Sequence, residues 1–226
     1  MFRKIKKDRN MQDNYLKKIY IKLFFLFLFV VFLLFVPAGS FKYWNGYVAL
    51  IIIFIPVGIF IYLLFNQNPY LIKQNFNFRK IFRKQDSIFN MMIIDIVAGF
   101  LMAGFDFRFT LTKNYPVWIY IQAFVIFILA YVIVGSSLKE NRFFTRTVFD
   151  AGLYGVVRHP TYSALILTFL SLPLILGSLW SFLIFLLFPV LIIFKIKKEE
   201  KILKEDIYGY AEYMSRVKYR LIPFIW

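Results

Sequence analysis

A chain of 226 residues that is 61% hydrophobic, with 30 Phe and a mean hydropathy of +0.67, is no ordinary soluble domain; its evenly spread apolar runs point to one membrane domain over 1–226. The net charge of +16 reads as topology and attraction to anionic headgroups, because no basic face is left for nucleic acid once loops are assigned. The lack of cysteine excludes disulfides and thiolate chemistry, and the single histidine, His159, has no carboxylate cluster near it in sequence, which speaks against a metal.

In chain order, a basic arm covers residues 1–18. Six apolar runs follow, at 19–36, 47–65, 88–105, 117–138, 161–176 and 179–194. Most approach the roughly 20 residues that cross a bilayer core of about 30 Å. The expected fold is all-α: a polytopic membrane bundle of about six transmembrane helices with a C-terminal cytosolic amphipathic helix. The first run is longer than a usual signal-peptide core, and PAGS is a poor cleavage site, so it is read as retained. Tyr43, Trp44, Tyr115 and Trp118 fall at expected outer interfaces, where amphipathic rings settle. The segment 66–87, with Pro69 and many Asn and Gln, reads as an inner loop with a short surface helix. Gly99 and Ala103 form a small-xxx-small pair that favours close helix packing. Asp95, in the same run, is an acid at membrane depth. It lines an acceptor cavity or bonds a neighbouring helix as a protonated carboxyl.

Lys and Arg set the orientation. Only Lys42, Arg108 and Lys113 fall in the three loops on one side, and the other 25 fall on the opposite side. Both termini are therefore expected in the cytoplasm, and the small size fits a plasma (inner) membrane.

The last two runs are joined by Gly177-Ser178. Such a short joint makes them antiparallel neighbours. Arg158-His159-Pro160 must then lie beside Lys195 to Glu200. Pro160 suits a first helical turn, where its missing N–H costs nothing. The free amides of that turn, the helix dipole and Arg158 together favour an anion. Glu199 and Glu200 point about 100° apart, so one can face the site. A carboxylate there can hold an ammonium or ribose hydroxyls, which matches a zwitterionic ligand. The plainer reading makes Arg158 a snorkelling interface residue, His159 a helix start and the glutamates a solvated tail.

Tyr154, Arg158, His159, Pro160 and Tyr162 spell Y-x-x-x-R-H-P-x-Y. Glu199-Glu200 and Leu203 then give E-E-x-x-L, and Tyr210, Tyr213, Val217 and Pro223 complete the tail pattern. This combination resembles the isoprenylcysteine carboxyl methyltransferase family in its small prokaryotic form, whose wider group includes phospholipid N-methyltransferases. The likeness covers roughly 30–226, with weaker echoes at FVPAGSFKYW and at Asp106, Arg108 and Phe109. It implies an S-adenosylmethionine-dependent methyltransferase with a lipid-like or prenylated acceptor, and a cofactor region at 139–226. By the resemblance, Tyr154, His159, Pro160 and Tyr162 line the cofactor, Glu199 and Glu200 contact it or hold its polar shell, and Tyr210 and Tyr213 brace the tail over it.

The implied chemistry is direct displacement at a sulfonium methyl, which depends mainly on alignment. Carboxylate O-methylation is favoured, with Arg158 or Lys195 orienting a carboxylate that is already ionised at neutral pH. For an amine acceptor, Glu199 or Glu200 takes the proton. Three positions depart from the family pattern. The stretch between Thr147-Val148 and Gly152 is shortened, Ala164 replaces a common Gly, and Lys195 replaces a common Arg, without its bidentate fork. Two rival readings are an NADPH-dependent sterol-reductase-like enzyme and a non-catalytic scaffold or transporter subunit. Against the first, Ser163-Ala164-Leu165 offers no acid. Against the second, the polar groups gather at one membrane edge, Asp95 apart.

Overall fold

The computed structural model describes residues 2–67, 87–113, 115–139 and 151–226. The inner loop expected at 66–87 and the shortened stretch after Thr147 lie largely outside the described residues. Among the described residues there is helix and no strand. The helices are α1 (Phe2–Ala38), α2 (Trp44–Gln67), α3 (Ser87–Phe109), α4 (Val117–Lys139), α5 (Leu153–Val156), α6 (Pro160–Ile175), α7 (Leu179–Phe185), α8 (Leu187–Asp206) and α9 (Tyr210–Arg216).

Four stretches are long and apolar enough to cross a membrane: Leu16–Ala38, Ser87–Phe109, Val117–Ser137 and Leu179–Asp206. Trp44–Ile59 and Pro160–Ile175 are shorter apolar helices. Together they reproduce the six expected apolar runs as a helical bundle. Two features differ from expectation. The basic arm is a helical continuation of α1, which at 37 residues is about 55 Å long. The last span is broken at Leu186 between α7 and α8. Pro189 explains the break: it has no N–H to give Phe185, and its ring crowds that carbonyl.

Small residues set the packing of α3. A Cβ built on Gly104 would lie 2.5 Å from the Leu34 carbonyl of α1, and one on Gly99 would lie 2.4 Å from the Phe185 ring of α7. Ser181 Oγ donates to the Gly99 carbonyl at 2.7 Å, so α7 is hydrogen-bonded as well as packed there. Helix α4 packs along α6 through buried Ala123, Phe127 and Ala130.

At the end of the bundle that carries the α6–α7 joint, side chains fix the last carbonyls of α6. Tyr115 donates to Leu174, Asn45 to Ile175 and Tyr43 to Leu176, each at 2.9 Å. Asp106 receives the hydroxyls of Ser178 and Thr112 and the Thr112 amide. Ser178 also caps α7 by accepting from the Ser181 amide at 3.0 Å. Orphan carbonyls at a helix end need partners, and these residues supply them. Trp44 and Trp118 are exposed, as interfacial rings should be, but Tyr43 is buried. Its burial, reinforced by the Asp106 carboxylate, pushes the phenol above its ordinary range and keeps it a donor.

Gly104→Ala should therefore lower stability by about 1–3 kcal/mol, since a backbone carbonyl must move. Gly58→Ala, which meets nothing within 4 Å, should be neutral or gain up to about 1 kcal/mol of helix propensity. Thermal unfolding of both variants in nanodiscs measures the difference.

Candidate functional site

The site grows from the mouth of α6. Pro160 starts the helix, and His159 before it has φ −130° and ψ 58°. Val157 is extended, so the chain approaches the helix nearly straight. The tail returns beside this approach. The Arg158 amide donates to the Tyr219 carbonyl and the His159 amide to the Arg220 carbonyl, both at 2.9 Å. Ser163 Oγ donates to the Leu221 carbonyl at 2.8 Å.

The α6–α7–α8 hairpin carries Glu200 back to the same place. Lys195 to Asp206 is mostly charged, so this half of α8 projects beyond the apolar run that ends at Phe194. Glu200 is 3% exposed even so. Its Oε1 accepts from Arg158 Nε at 2.8 Å and lies 3.3 Å from His159 Nε2, and its Oε2 accepts from Arg220 Nε at 2.9 Å. Burial alone would raise the Glu200 pKa. The hydrogen bonds from His159 and Arg220, with the charges of Arg158 and Arg220, outweigh it and hold the carboxyl at about 2.

Arg158 is 4% exposed. Its Nη1 donates to the carbonyls of Val217, Lys218 and Met214 at 2.9, 3.3 and 3.4 Å. Glu199 is half-buried and takes the Tyr162 hydroxyl at 2.6 Å. The two glutamates thus divide as their helical angle requires: Glu200 faces the cations and Glu199 faces Tyr162. The His159 and Tyr162 rings lie 5.7 Å apart.

Behind this network, Tyr213 donates to the Tyr154 carbonyl at 2.8 Å. Tyr210, Tyr213 and Val217 form a buried cluster with Leu203 and Ile207. Gly209, at φ 80°, makes the sharp turn that sends α9 back over it. Pro160 is buried. Lys195 is partly exposed, one turn before Glu199. Asp95 lies apart on α3, 4% exposed.

The structure therefore brings Tyr154, Arg158, His159, Pro160, Tyr162, Glu199, Glu200, Tyr210 and Tyr213 into one region. It also differs from the sequence reading in detail. The amides at the α6 mouth are largely engaged: those of Arg158 and His159 go to the tail, and those of Tyr162 and Ser163 go to the His159 carbonyl. Among the described residues, Thr161 is the first-turn residue whose amide keeps no such bond. Sequence reasoning missed Arg220. Its position is fixed by a folded tail in which the amides of Arg220, Leu221 and Ile222 donate to the Trp226 oxygen at 2.8, 3.0 and 3.2 Å. Its guanidinium also lies 4.9 Å from the Trp226 ring centre. The signal available was a cation three residues before Pro223, with a buried acid still to be balanced.

Arg158, Arg220 and Glu200 together leave one excess positive charge at the mouth of α6. An anion is favoured beside it, and the half-buried Glu199 carboxylate stands next to it for a cation or hydroxyl.

Residues 118–211 match the family model for phospholipid methyltransferases. The matched stretch runs from α4 into the start of α9. It contains Tyr154, Arg158, His159, Pro160, Tyr162, Glu199, Glu200 and Tyr210, whereas Asp95, Tyr213 and Arg220 lie outside it. No curated protein matches the chain. The similarity supports a membrane methyltransferase acting on a lipid-type substrate.

The Glu200 network carries a pH prediction. Its pKa is depressed in the folded state, so its stabilisation is complete above about 4.5 and is lost as pH falls toward 2. Amide protection factors in segments 156–163 and 217–222, taken against the intrinsic exchange rate at each pH, should stay high at pH 5 and fall across that window. Glu200→Ala leaves Arg158 buried without its counter-ion, which costs about 3–5 kcal/mol. It should show the lowered protection already at pH 7.

Proposed function

We propose that the chain is an S-adenosylmethionine-dependent methyltransferase that modifies a lipid-like acceptor at the cytosolic face of the plasma (inner) membrane. The observation that carries this reading is the closure of Arg158, His159 and Tyr162 onto Glu199 and Glu200 at the mouth of a membrane helix. The match of residues 118–211 supports it, since that family generally uses this methyl donor.

The residues suit the cofactor's polar ends. The Thr161 amide and the excess positive charge of the Arg158–Glu200–Arg220 trio receive a carboxylate. Glu199 receives an ammonium or ribose hydroxyls, and the His159 and Tyr162 rings wall the pocket. Tyr154, Pro160, Tyr210 and Tyr213 hold that wall in place. Bound there, the cofactor supplies an electrophilic methyl on a sulfonium sulfur. The chain's own contribution is alignment: no general acid is needed for a sulfonium leaving group, so rate comes from holding donor and acceptor in line.

Arg158 and Glu200 serve in this scheme mainly by fixing the mouth of α6, because both are buried in mutual contacts. Lys195, at the edge of the apolar run, is placed to steer an anionic headgroup. Two acceptor chemistries follow. The resemblance of the motifs to the carboxyl methyltransferases favours O-methylation of a carboxylate. The match to phospholipid methyltransferases favours N-methylation of an amine headgroup, for which Glu199 is a candidate base.

Binding of S-adenosylmethionine to the protein in nanodiscs tests the reading. Saturable micromolar binding is expected, weakened at least tenfold by His159→Ala and severalfold by Tyr162→Phe. A well-folded protein that binds no S-adenosylmethionine would overturn it.

A further inference from the structure

Asp95 is a buried acid that the network at the α6 mouth does not use. It is 4% exposed, and its Oδ2 has no hydrogen-bond partner among the described residues. Of its two sequence readings, an acceptor-cavity residue and a protonated carboxyl bonded to a neighbouring helix, the unpartnered Oδ2 supports the first. A buried polar atom left unsatisfied costs about 1–3 kcal/mol, and more in a membrane interior.

Its surroundings place it under the candidate site. Asp95 shares a face of α3 with Met92, Ile96 and Gly99, by their spacing of three and four residues. Gly99 meets Phe185 of α7. Met92 and Ile96 pack in one apolar cluster with Tyr162, Leu165 and Ile166 of α6 and Phe188, Ile192 and Ile196 of α8. The depths agree. Asp106 is tied to Ser178 at the joint end. Asp95 lies eleven residues from Asp106, about 16 Å along α3, and Tyr162 lies about 20 Å along α6 from Ile175. By helical rise, the Asp95 position therefore sits about 4 Å, less than one turn, on the membrane side of the Tyr162 position. That is where the polar network gives way to apolar packing.

We propose that Asp95 selects the acceptor, by accepting a hydrogen bond from a lipid headgroup whose reacting atom carries an N–H or O–H. This rests on the methyltransferase reading and narrows it. A carboxylate headgroup has no proton to give and sets a second carboxyl beside the first, which is unfavourable in an apolar setting. An amine or hydroxyl headgroup supplies the missing donor. Asp95 is on this account a specificity residue that touches the acceptor and not the methyl donor.

The test is lipid retention, read by native mass spectrometry after extraction from nanodiscs of equal parts phosphatidylethanolamine, diacylglycerol and phosphatidylcholine. The first offers an amine N–H, the second a hydroxyl, the third neither. The wild type should retain one of the first two over phosphatidylcholine by about tenfold, the worth of one hydrogen bond to a charged group. Which one it retains identifies the donor. Asp95→Leu should reduce the ratio to near one, and Asp95→Asn should keep part of it through the amide oxygen. Removal of an unsatisfied acid should not lower the unfolding midpoint, so loss of selection would not reflect loss of fold.

Equal retention of all three lipids by the wild type, or unchanged selection in Asp95→Leu, would overturn the proposal. So would faster methylation of N-acetyl-S-farnesylcysteine, a carboxylate probe, than of the donor-bearing lipids. S-adenosylmethionine binding on the same samples separates the two claims. Binding with no lipid selection removes only the role of Asp95, and selection without binding removes the methyltransferase reading.

Discussion

The arrangement turns on one buried carboxylate. Its network joins three parts of the chain: Arg158 and His159 at the approach to α6, Glu200 itself at the end of the last span, and Arg220 in the folded tail. Each cation is in place only if its own segment is folded, so the carboxylate acts as a checkpoint on all three. A fully buried ion pair gains little net stability, because desolvation offsets attraction. Its value is specificity. With Glu200 in place, the tail has one register against Arg158 and His159, and Tyr162 is left to reach Glu199.

The opposite end of the bundle does complementary work. Tyr115, Asn45 and Tyr43 take the carbonyls of Leu174, Ile175 and Leu176 where α6 ends, and Asp106 binds the joint residue Ser178. These contacts fix where α6 ends. Helical rise then fixes where it begins, so a cluster of tyrosines at one face determines the depth of the Arg158–His159–Pro160 mouth at the other. The close approach of α3 at Gly99 and Gly104 holds Asp95 at its depth by the same logic.

Much of this was legible in the sequence. The six apolar runs, the two-residue joint at Gly177-Ser178 and the antiparallel return of Glu199 and Glu200 follow from composition, spacing and helix geometry. The motif from Tyr154 to Tyr162, whose residue types are unusual in so apolar a chain, marked the stretch that the structure joins to Glu199 and Glu200. The rest depended on tertiary folding that no local pattern records. Arg220 is one cation among several in the tail, and only the turn back to Trp226 aims it at Glu200. The engagement of the Arg158 and His159 amides depends on a neighbouring strand-like tail, invisible to a reading of α6 alone. Tyr43 looks interfacial by position, and its buried hydroxyl bond shows only once α6 is placed. The break at Leu186 was readable from Pro189, four residues beyond Phe185.

The brevity of α6 has a consequence for the lipid. Sixteen residues span about 24 Å, less than the hydrocarbon thickness, so a helix anchored at one surface opens before it reaches the other. The polar side chains at its mouth are thereby carried below the headgroup plane on one side of the bilayer. A water-soluble reactant can descend to a lipid that never leaves its leaflet, and the energy of pulling acyl chains out of the membrane need not be spent.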